Sequence, residues 1–486
     1  MQVRKRMLIK PFVATVVLLL GSVSPSFGVS SLENVARESL IEHRVAGASI
    51  ARIEGGQLVE LIALGNASAD GSALKPDAVF QTGSISKSVA AWAAMTLVRD
   101  QKIDLDEPID SYLTRWEIPP SKFSNEAVTL RHLLSHTAGF SVGGYPGFEE
   151  GMPLPSLEES LQGATNGAGE LRLIQSPGKS FRYSGGGYTL LQLLIEELSG
   201  QTFHEYVERA VLQPLGMNSS SYQPAPDLLL RRAKPHGFDL DSFVQHNFRA
   251  QAAASLHSTA GDLAMFIIAN ILDNPVLTTD ELEIMHSEMA DAGFAKAGLG
   301  FFIQGEGALL GHGGANQGWR ADILFSKSSK SGLVVLTNSE SGGALISAVR
   351  CFWDSEYGPG TLQKTCSENQ AEQSSIRELF LILTVVTLIA AIVLIIWLLY
   401  RLVTKRSQLS LPQGSNRRVL LLVLSALVGV WGALLYTPLG ARLFSGFPTQ
   451  FATVNYLPHG FENFSYAIIV LCITIALLLL SHKPIK

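Results

Sequence analysis

Twenty-two consecutive uncharged residues, Leu379 to Tyr400, constrain this chain more than any other feature. They make roughly 33 Å of helix, enough to cross the hydrocarbon core of a bilayer. Val419 to Tyr436 and Phe464 to Leu480 are shorter but similarly apolar, so three C-terminal transmembrane helices are expected over residues 379–486. The loop after the first holds Arg401, Lys405, Arg406, Arg417 and Arg418 with no acid, whereas Glu368, Glu372 and Glu378 precede it. By the positive-inside rule the loop is cytoplasmic and the preceding region lies outside. Lys483 and Lys486 fall inside on the same count.

The other end reads as a secretory leader over residues 1–28. Arg4, Lys5, Arg6 and Lys10 form its basic start, Phe12 to Leu20 its apolar centre, and Ser26 and Gly28 a small-residue cleavage site before Val29. An uncleaved N-terminal anchor is the alternative; both export the region C-terminal to it. The two apolar ends pull the 486-residue chain to 47% hydrophobic and 16% charged residues. A net charge of −5 without a long basic run argues against nucleic acid as a partner. Of three cysteines, Cys351 and Cys366 could pair, but the count gives neither a disulfide framework nor a zinc spacing. Cys472 falls in an apolar segment and reads as filler.

Residues 29–355 are left as the globular part, with a polar linker over 356–378. Strand patterns sit at both of its ends: Ala48 to Ile53 and Gln57 to Leu64 first, then Leu299 to Ile303, Ala308 to Gly311, Arg320 to Phe325 and Gly332 to Thr337. Helical patterns fill the middle: Ser86 to Gln101, Leu130 to His136, Tyr188 to Ser199 and Thr202 to Val211. Strands from both termini around a helical insert predict an α+β fold, one antiparallel sheet flanked by helices with a helical subdomain. The Gly-, Pro- and Ser-rich stretch from Ser141 to Gly178 could border an active site.

Ser84 and Lys87 stand three apart at the start of an apolar helix, which puts them on one face. A serine hydroxyl is a weak nucleophile until a base takes its proton, and an amine held near it can serve. Ser176 and Lys179 have the same spacing, but Pro177-Gly178 between them cannot continue a helix. His132 and His136 lie at i, i+4, a spacing that can hold a metal. No third ligand with motif spacing accompanies them, so neither metal nor cofactor is expected.

Further motifs come in order: Tyr183-Ser184-Gly185 ahead of a helix, then Gly311-His312-Gly313-Gly314 among the late strands. With Phe80 to Ser84, Leu130 to Thr137, Leu212 to Met217, His257 to Ala260 and Gly298 to Gly300, the chain resembles the class C β-lactamase and penicillin-binding-protein superfamily of serine hydrolases from about Val45 to Asn338. The resemblance implies a β-lactamase/transpeptidase-like sheet flanked by helices. It makes Ser84 the nucleophile, Lys87 its base, Tyr183 a proton relay, and His312 a residue of the strand facing the nucleophile, where many relatives have Lys-Thr-Gly. The backbone amides of Ser84 and Ala315 would form the oxyanion hole, and Gln81, Gly185, His257, Gly314 and Asn316 would meet the substrate. Gly185 departs from the common Asn, which puts penicillin-specific chemistry in doubt. The Glu-based deacylation apparatus of class A β-lactamases is not recognisable.

The implied function is hydrolysis of an amide or ester in a small molecule or peptide through an acyl-serine, by a multi-pass protein of the bacterial inner membrane with its catalytic domain periplasmic and in contact with lipid. The order of leader, hydrolase and apolar helices also resembles membrane-tethered peptidases that remove acyl-D-asparagine caps from nonribosomal prodrugs. His257 and Asn316 agree with that group, and Gln81 and Gly185 fit it less well. A third reading is a penicillin-acylated sensor without turnover, although no signalling domain is visible. An imidazole has a reference pKa of about 6.5, so His312 should be mostly neutral at pH 7. Preference for a carboxylated substrate should then grow as pH falls. Substrate identity and oligomeric state are not legible in the sequence.

Overall fold

The computed structural model of the protein describes residues 31–404 except 166 and 239, residues 408–409, 426 and 428–431, and residues 461–482. The leader over residues 1–28 and most of Val419 to Tyr436 lie outside the described residues.

The strand-forming runs at the two ends of the globular part pair with one another. β1 (Gly47–Glu54) and β2 (Gln57–Gly65) form a hairpin. The late half supplies β3 (Ala290–Asp291), β4 (Lys296–Ala297), β5 (Phe302–Gln304), β6 (Leu309–Asn316), β7 (Trp319–Ser326) and β8 (Ser331–Thr337). They form one eight-stranded sheet in the order β2-β1-β8-β7-β6-β5-β4-β3. Every pairing in it is antiparallel, and β1 against β8 joins the chain's early and late halves, Ala48 opposite Thr337. β5 begins later than the sequence predicts, at Phe302, and β6 runs further, to Asn316. That extension matters, because β5 pairs β6 only as far as Gly311. From His312 to Asn316 this edge of β6 has no strand beside it among the described residues.

Side chains alternate across a sheet, so two cores form. Ile50, Leu324, Leu333 and Val335 face outward and are covered by α1 (Leu32–Glu42) and α5 (Gly342–Glu356). Ala51, Ile323, Val334 and Leu336 face the larger core, with α2 (Ser86–Arg99), α3 (Gly185–Ser199) and α4 (Ala260–Ile271). α2 is buried continuously from Ser86 to Leu97, so it has no solvent face and is the central helix of the domain. Its alanines permit close approach: a Cβ on Gly300 would lie 2.5 Å from that of Ala91. Trp92, fully buried against Phe266 at 5.2 Å between ring centres, anchors it; truncation to Ala would cost about 3–5 kcal/mol.

The C-terminal region corrects the expectation of three transmembrane helices. Among the described residues only Glu378–Val403 is long and apolar enough to cross a bilayer. It is the latter part of one helix, α6 (Gln363–Val403), so the polar stretch before it is helical from Gln363. The helix Phe461–Leu480 runs further on and contains the shorter apolar stretch Phe464–Leu478. It lies alongside α6, with Phe464 at 5.9 Å from Phe380. Among the described residues, the multi-pass arrangement read from the sequence is therefore replaced by a single helix able to span. Cys351 on α5 and Cys366 on α6 form a disulfide, a pairing that the sequence left open. It ties the outer layer of the catalytic sheet to the first turn of the long apolar helix.

Candidate active site

Ser84 sits in a single turn of 3-10 helix, Gly83–Ile85, that leads directly into α2. The turn is wedged against β6. Gly83 has φ +55°, and a Cβ there would stand 2.6 Å from the Ala315 amide nitrogen. A Cβ on Gly314 would be 2.0 Å from the Thr82 carbonyl oxygen. Two glycines thus let the serine turn and the strand touch backbone to backbone. This brings Ser84 and Ala315 together, the pair whose amides the resemblance assigns to an oxyanion site.

One helical turn on, Lys87 faces back. Its Nζ lies 3.0 Å from Ser84 Oγ and donates to the Ala253 carbonyl at 2.7 Å. From the opposite wall the Tyr183 hydroxyl donates to Ser84 Oγ at 2.8 Å. Tyr183 is placed by the chain just ahead of α3, whose N-cap is Ser184: Ser184 Oγ accepts from the Gly187 amide and donates to the Val142 carbonyl. Lys87 is 2% exposed and has no carboxylate partner among the described residues. Aromatic rings surround it instead, Tyr183 at 5.0 Å and Tyr188 at 5.7 Å.

Two imidazoles complete this wall. His136 lies between Tyr183 at 4.3 Å and Tyr188 at 5.1 Å, its ring tilted against both, and its Nδ1 accepts from the Ser184 amide. Burial, then the charges of Lys87 and His312, hold its pKa well below the usual histidine value. Its metal-like spacing with His132 therefore has another cause: His132 Nδ1 turns to the Ala127 carbonyl, away from the Ser184 amide that His136 holds. His312 lies on the site face of β6 opposite Ile323, with Nδ1 against the Gly313 carbonyl at 2.6 Å. Its pKa is pushed down to about 3, first by burial and second by Lys87. It is neutral throughout the physiological range, so the expected growth of carboxylate preference as pH falls is corrected: this ring does not become cationic there.

The residues expected to meet the substrate divide. Gly314 and Asn316 share β6 with Ala315, but Asn316 Nδ2 is engaged by Gln81 Oε1 at 2.8 Å and by the Ala254 carbonyl at 3.0 Å. Gln81 is buried and its amide donates to the His246 carbonyl. His257 is opposite Gln81 in a two-residue ladder, buried, with Nδ1 on the Ser255 carbonyl. Burial and Arg232 push its pKa down to about 4. Gly185 donates its amide to the Gly143 carbonyl, and a Cβ there would come within 3.1 Å of that oxygen. The Gly143–Gly144 backbone occupies the space beside Gly185. The same irregular segment reaches β6's far end, where Gln317 donates to the Pro146 carbonyl. Sequence reasoning missed the Ala253 carbonyl, which carries no side-chain signal, and the role of His136 behind Tyr183. A cavity of about 330 Å³ lined by Leu40, Val45 and His236 shares no lining residue with Ser84's surroundings.

A serine at the head of a buried helix, an amine three residues on and a tyrosine facing both, set against the edge of an antiparallel sheet, define the Ser-x-x-Lys serine-hydrolase class, that of β-lactamases and penicillin-binding proteins. The Beta-lactamase family model matches residues 32–347, and the chain belongs to that family. It is 28% identical over 195 residues to penicillin-binding protein 4 of Amycolatopsis lactamdurans, covering 40% of this chain and 49% of that protein. It is 28% identical over 206 residues to the esterase EstB of Burkholderia gladioli, covering 40% and 51%. The chain thus spans about half the length of these two curated relatives. Among solved structures, the octameric penicillin-binding protein homologue of Pyrococcus abyssi superposes with a TM-score of 0.57 at 26% identity, covering 66% of this chain and 76% of that one.

Proposed function

We propose that the protein is a membrane-tethered serine hydrolase that cleaves amide or ester bonds through an acyl-Ser84 intermediate. The observation that carries this reading is the convergence of Lys87 Nζ and the Tyr183 hydroxyl on Ser84 Oγ, at 3.0 and 2.8 Å. In its neutral form the Lys87 amine takes the hydroxyl proton as Oγ bonds to the substrate carbonyl carbon. The displaced carbonyl electron pair becomes an oxyanion held by the Ser84 and Ala315 amides; each such donor is worth about 100- to 1000-fold in rate. Collapse of the tetrahedral adduct breaks the bond to the leaving group, which receives the proton from Lys87 by way of Tyr183. Water then repeats the sequence on the acyl-serine, returning the acid and free Ser84.

Neutral His312 in place of a permanent charge favours uncharged substrates over those carrying a carboxylate at that position. Weak β-lactamase and carboxypeptidase activity is the consequence. The catalytic unit is residues 29–355, and the tether is the apolar helix Glu378–Val403. The Cys351–Cys366 disulfide supports an oxidising compartment for the domain.

A fluorophosphonate probe should label the full chain and not Ser84→Ala, and a reporter ester should be turned over many times per protein. Labelling that persists in Ser84→Ala would overturn the nucleophile. One equivalent of product and no more would make the protein an acylated receptor and not a hydrolase.

A further inference from the structure

The proton path uses Lys87 and Tyr183 and leaves an aromatic run beside them unexplained. His312 lies 6.5 Å from the Tyr183 ring and 5.0 Å from Phe302. Phe302 lies 5.0 Å from Phe294, and Phe181 joins the run at 6.1 Å from Phe302. The rings therefore continue from the wall of the nucleophile to the protein surface. Phe294 ends the run on the turn between β3 and β4, 70% exposed, with one side of its ring against Phe302 and the rest in water.

The position of these rings says what could cover them. Phe302 is the residue with which β5 begins, opposite Gly311, at the point where the edge of β6 becomes free. A substrate with its carbonyl between Ser84 and Ala315, extended along that edge, would run past His312, roughly 10 Å away at the rise of a strand. Its far end would then lie on Phe302 and Phe294. The charged groups on the hairpin, Asp291 and Lys296, are paired with each other at 2.8 Å.

We propose that His312, Phe302 and Phe294 form a subsite for an apolar substituent of the substrate, so that compounds with a long alkyl or acyl group react faster than short ones. His312 and Phe302 are themselves buried, so the apolar surface that water leaves when the chain binds is mainly that of Phe294. The proposal rests on the reading that Ser84 is the acylated residue, and the test separates the two.

Rates of covalent labelling are measured for the full chain at fixed detergent with methyl, butyl and octyl fluorophosphonates. The octyl probe should react at least about tenfold faster than the methyl probe, a difference of about 1.4 kcal/mol. Phe294→Ala should bring that ratio down towards one, while Phe294→Leu, which restores an apolar side chain, should retain part of it. Equal rates in the parent, or a ratio untouched by Phe294→Ala, would overturn the subsite while leaving Ser84 in place; the second result would also point to a lipid contact for Phe294. Absence of labelling with all three probes would instead sink the acyl-Ser84 reading beneath it.

Discussion

Ser84-Ile85-Ser86-Lys87 and Ser176-Pro177-Gly178-Lys179 satisfy the same four-residue pattern and share almost nothing else. The first begins a helix that is buried for three turns, so its lysine is fixed over its serine at 3.0 Å. The second is an exposed turn in which the Lys179 amide reaches only the Ser176 carbonyl, at 3.3 Å, and the amine has no partner among the described residues. The difference teaches that spacing is not chemistry. A helix that continues past the lysine makes the contact, burial against aromatic rings keeps water from the amine, and a second element, the chain ahead of α3, brings Tyr183 to the same oxygen.

The strongest way to break this comparison is to remove the lysines. Lys87→Ala should lower kcat by about 100- to 10,000-fold, the usual range for losing a positioned base, while Lys179→Ala stays within about twofold. Tyr183→Phe should cost a comparable factor, and the double variant with Lys87→Ala should be little worse than the worse single one, because both lie on one proton path. Cleanly multiplicative losses would mean that the two groups act separately.

The glycines sharpen the comparison at an intermediate scale. Gly83 and Gly178 both have positive φ, +55° and +73°, so alanine at either pays the left-handed penalty of about 1–2 kcal/mol. At Gly178 the added carbon meets only the end of the His132 ring, at 3.0 Å, whereas at Gly83 it meets the Ala315 backbone at 2.6 Å. Gly178→Ala should therefore lower Tm modestly without changing kcat. Gly83→Ala should lower both, because β6 must move away from Ser84. Equal effects on kcat would show that the contact between turn and strand is irrelevant to the reaction.

The smallest expected effect is a flat line. With the pKa of His312 at about 3, the ring is neutral at and above about pH 5, so the ratio of kcat/KM for an ester and its carboxylated analogue should not change from pH 5.5 to 8.5 on its account. Placing a permanent charge there with His312→Lys should shift the ratio towards the carboxylated compound. A parent ratio that rises towards the acid as pH falls through 6.5 would return His312 to an ordinary exposed histidine.

Much of this was legible in the chain because it is local. The i, i+3 spacing and the apolar run after it predict that Lys87 faces Ser84, and alternation predicts the strands at both ends. Tyr183 was reached only through a family resemblance, since nothing local says that residue 183 will face residue 84. The depressed pKa of His312 was missed because burial is a property of the packed site, and its reference pKa alone predicts a pH response. The Ala253 carbonyl and the ring run to Phe294 were invisible for the same reason: both depend on segments that meet only in three dimensions. Counting apolar segments overstated the membrane part: among the described residues only Glu378–Val403 is long and apolar enough to cross a bilayer.

The most direct test of the central claim is to trap the acyl-enzyme and find the residue that carries it. The full chain is mixed with a slowly hydrolysed activated ester, quenched in acid, digested and read by mass spectrometry. The acyl mass should sit on the peptide containing Ser84 and vanish on chase with buffer, with the peptide containing Ser176 unmodified at every time point. An adduct on Ser176, or on any residue but Ser84, would contradict the account.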